Sequence, residues 1–256
     1  MMTLKPFLLI SLTITATFVY GQDCSNASLA GPYAYAAHGT VTVNSRTITN
    51  SEVGRFVFDG KGAITGAAAV TSTGTTVVGD FTGAYAVGSD CTVTGKTTFA
   101  GVTTDFDAVV VSSGSDFVFA NRDGTSTLSG AGTKIEAQGA CSAATLSGAY
   151  GYQGDGSVMV ENRVLSLAEV GVFTFNGRGG VTGVYSASAA GLVERMTFSG
   201  TYEIGANCTG NMKFKVGDAD YVTNFAVASA GNTVLYSEVG PNTVTTGQAG
   251  RTFLRP

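Results

Sequence analysis

The chain has no tryptophan, one histidine, four prolines and charged side chains at only 12% of its positions. Each scarcity excludes something. A net charge of −4 and a pI near 4.9 leave no basic stripe for a nucleic-acid backbone and no polybasic segment for anionic lipid. The lack of Trp argues against an indole platform for sugars. His38 stands alone, with no Ser or Cys nucleophile motif around it, and no G-x-S-x-G, HExxH, P-loop or Rossmann fingerprint occurs. There is no CxxC, and no cysteine lies beside the histidine, so no metal or cofactor and no catalytic residue are expected. After residue 20 no apolar run is long enough to cross a membrane as a helix.

What is present at the start of the chain reads as an export signal. Lys5 provides a positive n-region, the Ser/Thr-diluted run from Phe7 to Tyr20 an apolar core, and Gly21 a compact cleavage position. Residues 1–21 are therefore expected to be removed, with the mature protein secreted to an extracellular or periplasmic space. Cys24 follows Gln22 and Asp23 and lacks the small-residue pattern of a lipoprotein.

The remainder is rich in Gly, Thr, Ser, Val and Ala, with 36 glycines in all. Glycine and β-branched residues disfavour long helices and suit short strands joined by tight turns. An internal repeat organises them. Cys24 recurs as Cys141, Tyr33 as Tyr150 and Tyr35 as Tyr152, always 117 positions on. EVGRFVFDGKGAITG from Glu52 recurs as EVGVFTFNGRGGVTG from Glu169, and FTGAYAVGSDCT from Phe81 as FSGTYEIGANCT from Phe198, at the same offset. Three blocks sharing one offset mean duplication. Each copy is large enough to bury its own core, unlike a solenoid turn. The expected units are 22–132 and 141–256, joined by a linker at 133–140. Four cysteines in an exported chain imply disulfides, and the repeat selects Cys24–Cys91 with Cys141–Cys208, since each unit then carries the same bridge.

Alternation gives the strands. Phe56 and Phe58 point one way and Arg55, Val57 and Asp59 the other; Phe81, Gly83, Tyr85 and Val87 share a face. The first unit is predicted to hold strands near 31–43, 53–59, 63–72, 76–88, 91–100, 105–112, 116–121 and 126–132. Asp59-Gly60 and Asn176-Gly177 read as type I′ hairpin turns. Residues 44–51, and 165–168 in the second copy, read as a longer loop or a helical turn. The fold class is all-β: two tandem eight-stranded antiparallel meander barrels, each with one disulfide. Closure removes exposed edges, and a barrel of eight strands has room for side chains or one small ligand.

Gly31-Pro32-Tyr33 and Gly148-Ala149-Tyr150 resemble the G-x-W opening of calycin barrels such as lipocalins and avidins, with Tyr in place of Trp. The eight-strand meander also resembles the allene oxide cyclase and dirigent barrels, and the whole chain is similar to secreted Gly/Thr-rich proteins of soil bacteria. The resemblance implies a β-barrel around a ligand cavity or a shaped reaction cavity.

Two sets of doubled residues are candidates for a site. Arg46 with Glu52 recurs as Arg163 with Glu169. In a chain this poor in charge, the pair reads as an ion pair anchoring a loop to the barrel rim, or as a mouth that orients a polar ligand. A Glu inside an apolar barrel would have a raised pKa and could move protons. The aromatics Tyr35, Phe58 and Tyr85, with Tyr152, Phe175 and Tyr202, read as core or as the lining of a pocket open at one end. The leading functional expectation is a non-enzymatic barrel that binds a small, mostly apolar ligand or acts as a surface or matrix component, with two modules offering avidity. The alternatives are an isomerase of the cyclase-barrel type and a single outer-membrane barrel built from both units. The oligomeric state is open.

Overall fold

The computed structural model describes residues 23–43, 46–72, 74–124, 126–136, 140–161, 163–240 and 242–252. The expected signal segment lies outside them. Sixteen strands follow one another: β1 Gly31–Val43, β2 Arg46–Phe58, β3 Ala63–Ser72, β4 Thr75–Val87, β5 Thr92–Phe99, β6 Val102–Val111, β7 Asp116–Asn121 and β8 Ser126–Lys134, then β9 Ser147–Val160, β10 Arg163–Asn176, β11 Gly180–Ala189, β12 Leu192–Ile204, β13 Thr209–Val216, β14 Ala219–Ala228, β15 Thr233–Gly240 and β16 Thr243–Arg251. β1–β8 close into one antiparallel barrel and β9–β16 into another. Each carries its own disulfide, Cys24–Cys91 and Cys141–Cys208. The two units close separately, so the single barrel formed by both is not the architecture. Their interiors are aromatic, with Ser and Thr frequent outside.

Two local expectations are corrected. Residues 46–51 and 165–168 are strand, not loop or helical turn. β1 and β2 pair without interruption from Gly31↔Phe58 to Val43↔Arg46, and β9 and β10 likewise from Ser147↔Asn176 to Val160↔Arg163. The alternation is hard to read there because the large apolar residues are isolated among Ser, Thr and Ala: Ile48 alone in the first copy, Leu165 and Leu167 in the second. The second correction concerns the Asp59 turn, which is not a two-residue hairpin. Asp59 Oδ1 accepts from the backbone N–H of Lys61, Gly62 and Ala63, folding a wider loop in which Gly60 and Gly62 take φ of 74° and 121°. Asn176 Oδ1 accepts from Arg178 and Gly180 in the same way. β8 also runs to Lys134, two residues into the expected linker.

One end of each barrel is plugged. A short turn, Asn26–Leu29 in the first and Ala143–Thr145 in the second, precedes the first strand of its barrel. Leu29 and Leu146 enter the lumen fully buried. The disulfide fixes each turn to the rim, and the Tyr85 and Tyr202 hydroxyls donate to the carbonyls of Asn26 and Ala143. The tyrosine of each Gly-x-Tyr motif points the same way: Tyr33 donates to the Gly114 carbonyl and Tyr150 to that of Gly231.

The barrels pack wall to wall. The outer face of β1–β3 supplies Ala34, Val53 and Ala69, which share a buried cluster with Ala226, Ala228 and Leu235 on β14 and β15. At its centre the Ser51 and Ser237 hydroxyls hydrogen-bond at 2.8 Å, both fully buried.

Candidate functional site

The first barrel is filled by its own aromatic rings. Tyr35 lies 4.4 Å from Phe56, Phe56 5.0 Å from Phe81, Phe58 4.9 Å from Tyr85, and Tyr33 5.5 Å from Phe117, mostly edge to face. Such contacts are the usual way aromatic cores close. Phe58 and Tyr85, and their equivalents Phe175 and Tyr202, are core and plug residues. The carboxyl inside it, among the described residues, is that of Glu52. Its Oε2 accepts from the Tyr35 hydroxyl at 3.5 Å, and burial pushes its pKa from 4.5 up to about 7.

The second barrel differs at the same level. Glu169, Gly154, Gly247 and Tyr236 form one row of directly opposed residues across β10, β9, β16 and β15. The Tyr236 hydroxyl donates to Glu169 Oε1 at 2.9 Å across the two intervening glycine strands. The glycines are required: a Cβ on Gly154 would run into both the Tyr236 hydroxyl and the Glu169 carboxylate. In the next row Gly156, Thr245, Glu238 and Thr223 are opposed. Thr245 donates to Glu169 at 3.4 Å, and Thr223 to Glu238 Oε2 at 3.3 Å.

Burial raises both carboxyls, and the Glu169 charge pushes Glu238 well up; the donors around each pull back. Two carboxyls that share a low-dielectric site cannot both ionise cheaply, so one holds a proton. Burial and the same carboxylates raise the phenols of Tyr152, Tyr185 and Tyr236. Tyr152 stacks on Phe173 at 4.0 Å, so this lumen too is occupied by rings.

Sequence reasoning found Glu52 and Glu169 but missed Glu238, Tyr236, Thr223 and Thr245. The signal was in the repeat. Their counterparts, 117 positions earlier, are Asn121, Phe119, Phe106 and Leu128. A comparison of differences between the copies, rather than of their matches, marks a polar exchange confined to one lumen.

Arg163 does not join Glu169. Arg163 is exposed at the tip where β10 begins, six residues and so about 20 Å of strand from Glu169. Among the described residues Glu169 bonds Tyr236 and Thr245 instead. Arg46 opens β2 six residues before Glu52, and its side chain lies outside the described set.

A groove of about 910 Å³ runs between the barrels. Its walls include Ala36, Val118, Ala168, Val170 and Leu235, with Gln153, Ser186 and Gln248 among the polar groups. His38 of one barrel and Asp155 of the other, equivalent positions in the repeat, meet at 3.0 Å on its rim, both well exposed. Thr246, only 3% exposed, lies beneath the groove, and its Oγ1 is buried with no hydrogen-bond partner among the described residues.

No protein-family model matches the chain, and no curated protein does. Among solved structures it is similar to a Nitrosomonas europaea protein described as AttH, at 8% identity over 86% of this chain and 92% of that one, with a TM-score of 0.31. At that score the likeness carries no argument. What stands is the architecture, two disulfide-bonded eight-stranded barrels with a groove between them.

Proposed function

We propose that this is a secreted, non-enzymatic binding protein that holds a small, mostly apolar ligand in the groove between its barrels. The observation that carries the reading is the groove itself, about 910 Å³, with small apolar walls and the polar side chains of Gln153, Ser186 and Gln248. A ligand bearing one polar group would find a hydrogen-bond partner among those side chains. The groove's volume falls in the usual range for small-molecule sites, about 300–1,000 Å³, and domain interfaces are a preferred place for them. Its small apolar walls suit an aliphatic or terpenoid body. The ring-filled lumens argue against the cavity inside a barrel that the calycin-like resemblance implied. Export agrees with the N-terminal segment and with the two disulfides.

The test is native mass spectrometry of the mature protein from its own host, followed by solvent extraction. The expected result is one small molecule per chain, lost in the groove-filling Ala168→Phe variant and weakened in Gln248→Leu. A wild-type protein that always emerges at its bare mass would overturn the reading and leave a surface or matrix role. A second reading, an isomerase using Glu169 and Glu238 as acid and base, is favoured only by the proton-sharing pair. It requires turnover that disappears in Glu238→Gln.

A further inference from the structure

We infer that a second copy of this chain docks on the exposed counterparts of the barrel–barrel interface. Because the chain is a tandem repeat, each barrel contains the residues that the other uses at that interface. The contact is asymmetric: the first barrel presents β1–β3 and the second β14–β16. One face of each kind therefore remains free, β6–β8 on the first barrel and β9–β11 on the second.

Each free face keeps apolar residues at its centre, Val109 and Val118 on one and Ala168 and Val170 on the other, while the margin of the second carries Gln153 and Ser186. Ala226 and Leu235 are 0% and 4% exposed in the interface; their counterparts Val109 and Val118 are 41% and 47% exposed. Val53 is 2% exposed, and its counterpart Val170 is 60% exposed. Outward-pointing valines on a strand exposed to water gain nothing from solvation, and apolar patches of this kind mark interaction surfaces.

The centre of the interface supplies the sharper argument. Ser51 and Ser237 bond only each other there. Their counterparts are Ala168 and Ala120, so both positions of the pair are apolar in the other copies. A serine meeting an alanine would leave a buried hydroxyl unsatisfied, whereas two alanines make a matched apolar contact. The faces that carry Ala120 and Ala168 thus complement one another as the Ser51 and Ser237 faces do. Since the contact is head to tail, the occupant is another copy of the chain, and repetition gives a ring if the rotation closes or a filament if it does not. This inference competes with the ligand reading for one surface, since Val118, Ala168 and Val170 also stand on the walls of the groove; the chain mass reads the docking separately from a bound small molecule.

The test is the mass of the mature wild-type protein by light scattering after gel filtration over a concentration series, with Val109→Arg, Val170→Glu and, as control, Val102→Arg on the exposed β6 tip. Wild type and Val102→Arg are expected at a multiple of the chain mass, and each of the other two variants at one chain. Mixing Val109→Arg with Val170→Glu lets the unaltered β9–β11 face of the first meet the unaltered β6–β8 face of the second and is expected to restore a two-chain species, which an unfolded variant could not do. The inference is overturned if wild type stays at one chain throughout, if both face variants keep the wild-type mass, or if the mixture restores nothing.

Discussion

Replacing Glu52 by Gln should remove a pH dependence of stability that can be sized from the structure. The Glu52 carboxyl is partly buried among aromatic rings, with the Tyr35 hydroxyl as its hydrogen-bond donor. Burial raises its pKa from 4.5 to about 7. The folded state therefore binds a proton that the unfolded chain releases between those values. Stability from this group is fully present below about pH 4.5, falls as the pH rises to about 7, and is flat beyond. At about 1.4 kcal/mol per pH unit, the loss is about 3 kcal/mol at most, because Glu52 keeps some contact with water. Gln is neutral throughout and still accepts from Tyr35. Glu52→Gln should match wild type at pH 4 and exceed it above pH 7 by up to that amount. Hydrogen exchange of β1 and β2 peptides at several pH values reads the first barrel separately from the second. A difference between variant and wild type that does not change with pH would refute the reasoning, since a mere packing change has no proton attached to it.

In the second barrel Glu238→Gln should stabilise in the same direction, most strongly at alkaline pH, because it removes a carboxyl raised by burial and by Glu169; denaturant midpoints at pH 5 and pH 9 check this. Ser51→Ala alone should cost about 1–3 kcal/mol by stranding Ser237, while the double variant with Ser237→Ala should come close to wild type; a double-mutant cycle by chemical denaturation measures the coupling. Removing the Cys24–Cys91 bridge by paired serine substitutions should cost about 4 kcal/mol, since it closes a separation of 67 residues and also holds the turn that plugs the barrel. Thermal unfolding followed by circular dichroism would show that loss in the first barrel alone.

The fold was legible because its signals are local and doubled. Period-two aromatics such as Phe56 and Phe58, glycine turns and a cysteine pair at a constant offset each survive in a bare sequence. What failed was the start of β2 at 46–51, where Ile48 is the one large apolar residue and so sets no period. The site was less legible for a physical reason. Arg46 and Glu52 lie close in sequence, but a strand carries them about 20 Å apart. The partners of Glu169 come instead from β15 and β16, almost 70 residues later or more, and only barrel closure brings them to it. The groove and its unpartnered Thr246 could not be read at all, because they depend on how two complete barrels lean on each other.

The duplication explains how a polar lumen could arise. Phe106, Phe119 and Leu128 fill the first barrel; Thr223, Tyr236 and Thr245 stand in their places in the second. Each exchange alone would put an unsatisfied hydroxyl into an apolar interior. Together they cost less, because every one of the three hydroxyls donates to a glutamate: Tyr236 and Thr245 to Glu169, Thr223 to Glu238. Glu238 itself replaces Asn121, and Gly154 replaces Ala37, whose methyl group would block the bond from Tyr236 to Glu169. A network like this is tolerable when complete and damaging when partial. The two lumens share their ring-packed end and differ as a complete set at these positions, ring and aliphatic packing in the first barrel against hydroxyl-to-carboxylate bonds in the second, so a single exchange between them is expected to cost more than the whole set.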